Sequence, residues 1–103
     1  MNIKQLEVLR TLLATGSTIA TAKAMGFSQS GVSRMLQQLE SDLAITLFVR
    51  DKGRLIATPE AMVLARDAEN ILLAVERMSG HAEDLRNGAS GPDIVRIGLP
   101  SSM

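Results

Sequence analysis

Residues Thr18–Gln37 read TIATAKAMGFSQSGVSRMLQ, and this stretch decides the fold. Ala22 is small enough to let two helix axes approach closely. Gly26, four residues on, can adopt the left-handed conformation that ends one helix and opens a tight turn. Val32 closes a small core between the two helices. Together they predict a helix-turn-helix, a unit that can set its second helix in the major groove of a duplex.

The flanking residues extend this pattern. Ile3, Leu6, Leu9 and Leu13, with Val8 and Leu12 beside them, recur at helical spacing and predict a first helix from Ile3 to Ala14, ended by Gly16. Ser17 is an N-cap candidate for a second helix with Ile19, Ala22 and Met25 turned inward. Ser28 then caps a third, whose inner face is Val32, Met35, Leu36, Leu39 and Leu43. Its opposite stripe holds Ser30, Arg34, Gln37 and Ser41, flanked by Gln29, Ser33 and Gln38, with no acidic residue before Glu40. A merely solvated face would more often mix Glu with Lys.

Leu47–Pro59, LFVRDKGRLIATP, places two short β-prone runs, Leu47–Arg50 and Arg54–Ala57, around a turn at Asp51-Lys52-Gly53. A hairpin directly after a recognition helix is a wing. Arg50, Lys52 and Arg54 at its tip suit phosphate oxygens or the minor groove. The plainer alternative is a solvated basic turn.

Thr58-Pro59-Glu60 has the order of an N-cap, a first-position proline and a first-turn acid, and predicts a long helix. Ala61, Leu64, Ala68, Ile71, Val75, Met78, Ala82 and Leu85 then alternate three and four residues apart. Such a seam predicts a coiled-coil dimer, its small residues allowing close approach. The alternative is a helix that packs only on its own domain, a role Leu72 and Leu73 could fill. Gly80 costs about 1 kcal/mol against alanine there and is a candidate bend. Ala89–Asp93 reads as a hinge, and Ile94–Leu99 as a strand with no partner in this sequence. We therefore expect a mainly α chain of three parts: a winged helix-turn-helix over 1–58, a linker and dimerisation helix over 59–88, and a hinge with the first strand of a truncated domain over 89–103.

Composition agrees. The chain has 103 residues, 46% hydrophobic and 21% charged, with Phe27 and Phe48 its two aromatics, so the core must be aliphatic. It lacks cysteine, and a lone His81 makes no metal cluster, so neither metal nor cofactor is expected. No apolar run spans a membrane and no signal-peptide order opens the chain, which predicts a cytoplasmic protein. Net charge is zero, but residues 1–58 carry +3 and residues 59–103 carry −3. That division fits a nucleic-acid footprint on the first part.

With these pieces in order, the chain resembles the DNA-binding region of LysR-type transcriptional regulators, a bacterial family, over nearly its whole length. The residues that carry the likeness are Gln5-Leu6, Gly16-Ser17, Ala22, Ser28-Gln29-Ser30, Val32-Ser33-Arg34, Leu39-Glu40, Leu43, Leu47-Phe48, Arg50 and Thr58-Pro59. It departs from the family at Thr18, where an aromatic is usual, and at Thr21, Ser30 and Ala61. The resemblance implies base-edge or phosphate contacts from Gln29, Ser30, Ser33 and Arg34. It implies phosphate contacts from Ser17, Thr18, Arg50, Lys52, Arg54, Thr58 and Gln38. It further implies an antiparallel homodimer through the linker helix, dimers of dimers in the full protein, and a small-molecule effector domain following this region.

The expected function is a regulator fragment binding dyad-symmetric double-stranded DNA as a dimer. A winged-helix module for protein–protein assembly is the alternative, supported by the zero net charge. An enzyme is not expected: there is no nucleophile–base pair, glycine-rich phosphate loop or catalytic carboxylate pair.

Overall fold

Each helix begins on a side-chain cap. The computed structural model describes residues 1–88, in the order α1 (Ile3–Thr15), α2 (Thr18–Met25), α3 (Gln29–Leu43), β1 (Phe48–Asp51), β2 (Arg54–Ala57) and α4 (Pro59–Asn87). Asn2 and Gln5 form a reciprocal capping box at α1. Ser17 accepts the Ala20 N–H at 3.1 Å, and Ser28 accepts the Gly31 N–H at 3.0 Å. Thr58 accepts the Ala61 N–H at 3.2 Å at the head of α4. Gly16 and Gly26, at φ 67° and 71°, close α1 and α2 in the left-handed region that glycine enters without a steric penalty. α3 ends instead on Ala44, at φ 57°.

Two compact units divide the chain, Met1–Leu72 and a second beginning at Leu73. In the first, α1, α2 and α3 touch one another pairwise. Their core joins Leu6, Val8, Leu9 and Leu12 of α1 to Ala22 of α2 and Val32, Leu36 and Leu39 of α3. Leu47 and Phe48 extend it from the wing, and Ala61, Ala68 and Leu72 from α4. Ala22 and Val32 thus do what their spacing predicted. An ion pair between Arg10 and Glu69 adds a surface tie at 3.9 Å. In the second unit the described residues continue α4, and each of them is exposed.

β1 and β2 pair antiparallel with Phe48 opposite Ala57 and Asp51 opposite Arg54. Lys52 and Gly53 connect them, both at positive φ (53° and 79°). That pair of angles belongs to the two-residue turn whose twist matches a hairpin. The first strand lies one residue later than Leu47–Arg50, and the Leu47 N–H goes to the Glu40 carboxylate instead of to the facing strand.

Several expectations about which side faces inward are corrected. Ile19 is 57% exposed rather than inward, and Met25 is half-buried. The inner positions of α2 are Thr18, Thr21 and Ala22. Thr21 tolerates burial because its hydroxyl is 2.9 Å from that of Thr15, and Thr15 in turn donates to the Ser17 carbonyl. Ile3 is exposed, as is Leu73, whereas Leu72 is in the core. Ala61 and Ala68, expected on a seam toward a second chain, are buried in the core of their own unit at 0% and 3% exposure. α4 runs through Gly80 as continuous helix. The hinge and strand expected over 89–103 lie outside the described residues.

Candidate nucleic-acid interface

Two adjoining depressions gather most of the expected contact residues, and Gln29 belongs to both. The first is a cleft of about 220 Å³ lined by the α1–α2 turn and start of α2 (Gly16, Ser17, Thr18, Ile19), by Gln29, and by Arg50, Gly53, Arg54 and Leu55 of the wing. The second is an open groove of about 450 Å³ along α3, lined by Gln29, Ser30, Ser33, Arg34 and Gln37. Positions 30, 33, 34 and 37 recur at helical spacing, which is why they share a face. The side chains opposite them, Val32, Leu36 and Leu39, hold that face outward by packing in the core.

The wing is placed by a carboxylate. Glu40 Oε2 accepts the backbone N–H of Leu47 at 2.7 Å and of Phe48 at 3.2 Å. Thr58, at the other end of the hairpin, donates its hydroxyl to the carbonyls of Thr46 and Leu47, at 2.8 and 3.2 Å. Its N–H also reaches Leu47 O at 2.9 Å. The start of the hairpin is thereby tied to α3 and its end to the loop that follows α3, and Arg50 and Arg54 stand beside the head of α2.

The electrostatics of this face are positive. Arg34, Arg50, Lys52 and Arg54 are all exposed, and among the described residues none of them enters an ion pair. The ion pairs lie elsewhere: Met1 with Asp42, Lys4 with Glu7, Arg10 with Glu69, and Arg86 with Glu83. Asp51, at the end of β1, is the acidic residue nearest the wing tip in sequence. Unpaired guanidinium groups beside a helix N-terminus and a row of hydroxyls are donors aimed at anionic oxygen.

Not every expected residue joins this face in the same way. Thr18 is buried, and its hydroxyl accepts from Gln29 Nε2 at 3.2 Å. The Thr58 hydroxyl is taken up by three backbone groups. Gln38 lies outside both depressions, near the end of α3. Lys52 sits at the hairpin tip, outside the cleft. Conversely, Ile19 and Gln37 line the depressions without having been named as contacts. Gln37 carried a signal, three residues beyond Arg34 and four beyond Ser33. Ile19 carried none.

Of the expected seam, Leu64 is half-buried, and Ile71, Val75, Met78, Ala82 and Leu85 are exposed. Met78 is the most open of these, at 75%. Among the described residues no group of three or more potential ligands could hold a metal ion, and no helix is long and apolar enough to cross a membrane.

Comparison with known proteins agrees with this geometry. The sequence profile of the bacterial regulatory helix-turn-helix proteins, lysR family, matches residues 3–62. The HTH-type transcriptional regulator DgcR of Pseudoalteromonas sp is 35% identical over 91 residues, covering 88% of this chain and 31% of that protein. The HTH-type transcriptional regulator GltR of Bacillus subtilis is 36% identical over 98 residues, covering 95% of this chain and 32% of its own length. The chain thus spans about a third of these relatives. Among solved structures, the BenM DBD/catB site 1 DNA complex superposes with TM-score 0.80 at 25% identity, covering 86% of this chain and 96% of that one. Full-length CbnR complexed with target DNA superposes with TM-score 0.77 at 27% identity, covering 85% of this chain and 31% of that one.

Proposed function

The chain belongs to the lysR family of bacterial regulatory helix-turn-helix proteins, and from that premise we propose that it reads dyad-symmetric promoter DNA as a homodimer. The observation that carries the reading is the acid-free face of α3 standing next to the wing cleft. Ser30, Ser33, Arg34 and Gln37 would face the major groove, while Ser17, Arg50 and Arg54, with Lys52 at the tip, would hold the flanking phosphates. That solved structures similar to this chain include DNA complexes supports DNA binding.

Pairing is proposed through α4. Ile71, Val75, Met78, Ala82 and Leu85 are apolar and exposed, and among the described residues every one from Leu73 onward is exposed. A coiled-coil partner would cover them. Two copies related by a two-fold axis call for a site with dyad symmetry. We place the DNA-reading part in residues 1–58 and the pairing helix in 59–88. In the whole protein, residues 89–103 would lead into a domain whose small-molecule effector controls the arrangement of subunits, including dimers of dimers. A regulator of this kind acts in the cytoplasm.

The test is affinity for a dyad-containing promoter duplex against a random duplex of equal length, titrated with salt. Binding should favour the dyad and weaken steeply as salt rises, since each neutralised phosphate releases counterion. Equal affinity for both duplexes sinks the sequence-specific reading. Self-association that ignores salt, with no DNA binding, would support the protein–protein assembly module instead.

A further inference from the structure

Thr18 and Gln29 form a pair that links the buried start of α2 to the exposed start of the recognition helix. Thr18 is 8% exposed, and a buried hydroxyl needs a partner. Among the described residues its side-chain partner is the Gln29 amide, with Nε2 donating to Thr18 Oγ1 at 3.2 Å. Gln29 is itself exposed, and it is the one residue common to the wing cleft and the α3 groove.

A glutamine amide has one carbonyl acceptor and two N–H donors. One N–H is taken by Thr18. What remains is Oε1 and a second N–H, an acceptor beside a donor. In the major groove adenine offers an N6 amine beside the N7 acceptor, whereas guanine offers two acceptors, thymine one acceptor and a methyl, and cytosine one donor. The remaining half of the Gln29 amide complements adenine.

We infer that Thr18 is a positioning residue whose hydroxyl locks the Gln29 amide, and that the locked amide makes Gln29 an adenine reader. This rests on the DNA-reading function proposed above. The last side-chain torsion of glutamine is broad and nearly two-fold. Without the Thr18 hydroxyl the amide loses its anchor at the start of α2 and is no longer held at one place on the α3 face. Selectivity then falls because the amide must be placed at the moment of binding rather than beforehand.

The experiment uses the 103-residue chain, wild type and variants, to select sequences from a random duplex DNA pool at moderate salt. The position whose preference vanishes in Gln29→Ala marks the base pair that Gln29 reads. Adenine is expected there in the wild type, favoured by about ten-fold or more. Thr18→Val, which keeps the shape and removes the hydroxyl, should reduce that ratio to about three-fold or less, and Thr18→Ser should retain it. Thr18→Ala carries the same expectation as Thr18→Val should the valine variant fold poorly. In the free protein, the Gln29 side-chain amide resonances should move in Thr18→Val and stay in place in Thr18→Ser. A guanine at the Gln29-dependent position, or an adenine preference untouched in Thr18→Val, overturns the inference and leaves DNA reading intact. A wild type that enriches no sequence overturns both.

Discussion

The Glu40 carboxylate accepts the N–H of Leu47 at 2.7 Å, across the loop that leads from the recognition helix into the wing. Leu47 is fully buried and Phe48, whose N–H reaches the same oxygen, nearly so. Water is therefore poorly placed to substitute. Glu40→Ala leaves two backbone donors without this acceptor and should destabilise the first unit by about 1–3 kcal/mol. Glu40→Gln, which keeps a side-chain oxygen, should cost less. Chemical denaturation of the three proteins checks this; an alanine variant as stable as the glutamine one would remove the bond from the account.

The cationic groups of the proposed DNA face should divide into two kinds. Arg34 lies in the α3 groove, and Arg34→Ala should cost ~1–3 kcal/mol of binding to the selected dyad site while affecting random duplex less. Arg50 and Arg54 line the wing cleft, and replacing either with alanine should weaken all sequences about equally. Each such replacement should also lower the slope of log affinity against log salt by about one. Anisotropy titrations over a salt series measure both effects. An Arg50→Ala variant with an unchanged slope would take that side chain off the phosphates.

The two regions differ in how far the sequence made them legible. Helix limits were readable because the cap residues mark them locally: Ser17, Ser28 and Thr58 at starts, Gly16 and Gly26 at ends. The end of α3 on Ala44 carried no such residue type. The orientation of α2 was not readable from its pattern. Eight residues make barely two turns, too short a period to set the buried face, and the apolar pattern pointed to Ile19 where the structure buries Thr21. Thr21 is buried with the Thr15 hydroxyl as its partner, and Ile19 is left outside. The α3 face was legible because its period is local. The Thr18–Gln29 bond, eleven residues apart, exists only once two helices have packed.

Acid should act on the end of α3. The hydrogen bond from the Met1 ammonium to Asp42 Oδ2, 2.6 Å long, holds the Asp42 carboxyl below its ordinary pKa. Desolvation opposes the shift, while the charge of the ammonium and a hydrogen bond from Gln38 reinforce it. A carboxylate depressed in this way stabilises the fold above its unfolded pKa, and that contribution is lost as pH falls through the folded one. Asp42→Asn should therefore lower Tm at neutral pH, with the difference from wild type closing below about pH 4. Thermal melts across an acid series test it; a gap that persists at the acid end would mean the asparagine acts through packing instead.

Gly80 offers a stabilising change. It lies within continuous helix, and a Cβ built there meets nothing within 4 Å. Gly80→Ala should raise helix content and stabilise α4 by about 0.5–1 kcal/mol. Circular dichroism and thermal melting would register the gain. A loss of stability would indicate that a second chain approaches the helix at this position.

Two sets of residues on α4 separate folding from pairing. Ala61 and Ala68 share the three-and-four spacing of a coiled-coil seam, yet they are buried in the core of their own unit. Enlarging either to leucine overfills that core and should destabilise the first unit by about 1–3 kcal/mol. Were they on an exposed seam, leucine would add apolar surface and tighten self-association. Met78 is 75% exposed and Leu85 49%, so a glutamate at either costs the isolated chain little. Within an apolar seam the same glutamate would bury an unpaired charge, which a pair of helices does not tolerate. Sedimentation equilibrium should thus find Met78→Glu and Leu85→Glu folded but shifted toward monomer, and Ala61→Leu destabilised without a gain in self-association. A Met78→Glu protein that pairs as tightly as wild type would move the pairing surface to another face of the helix.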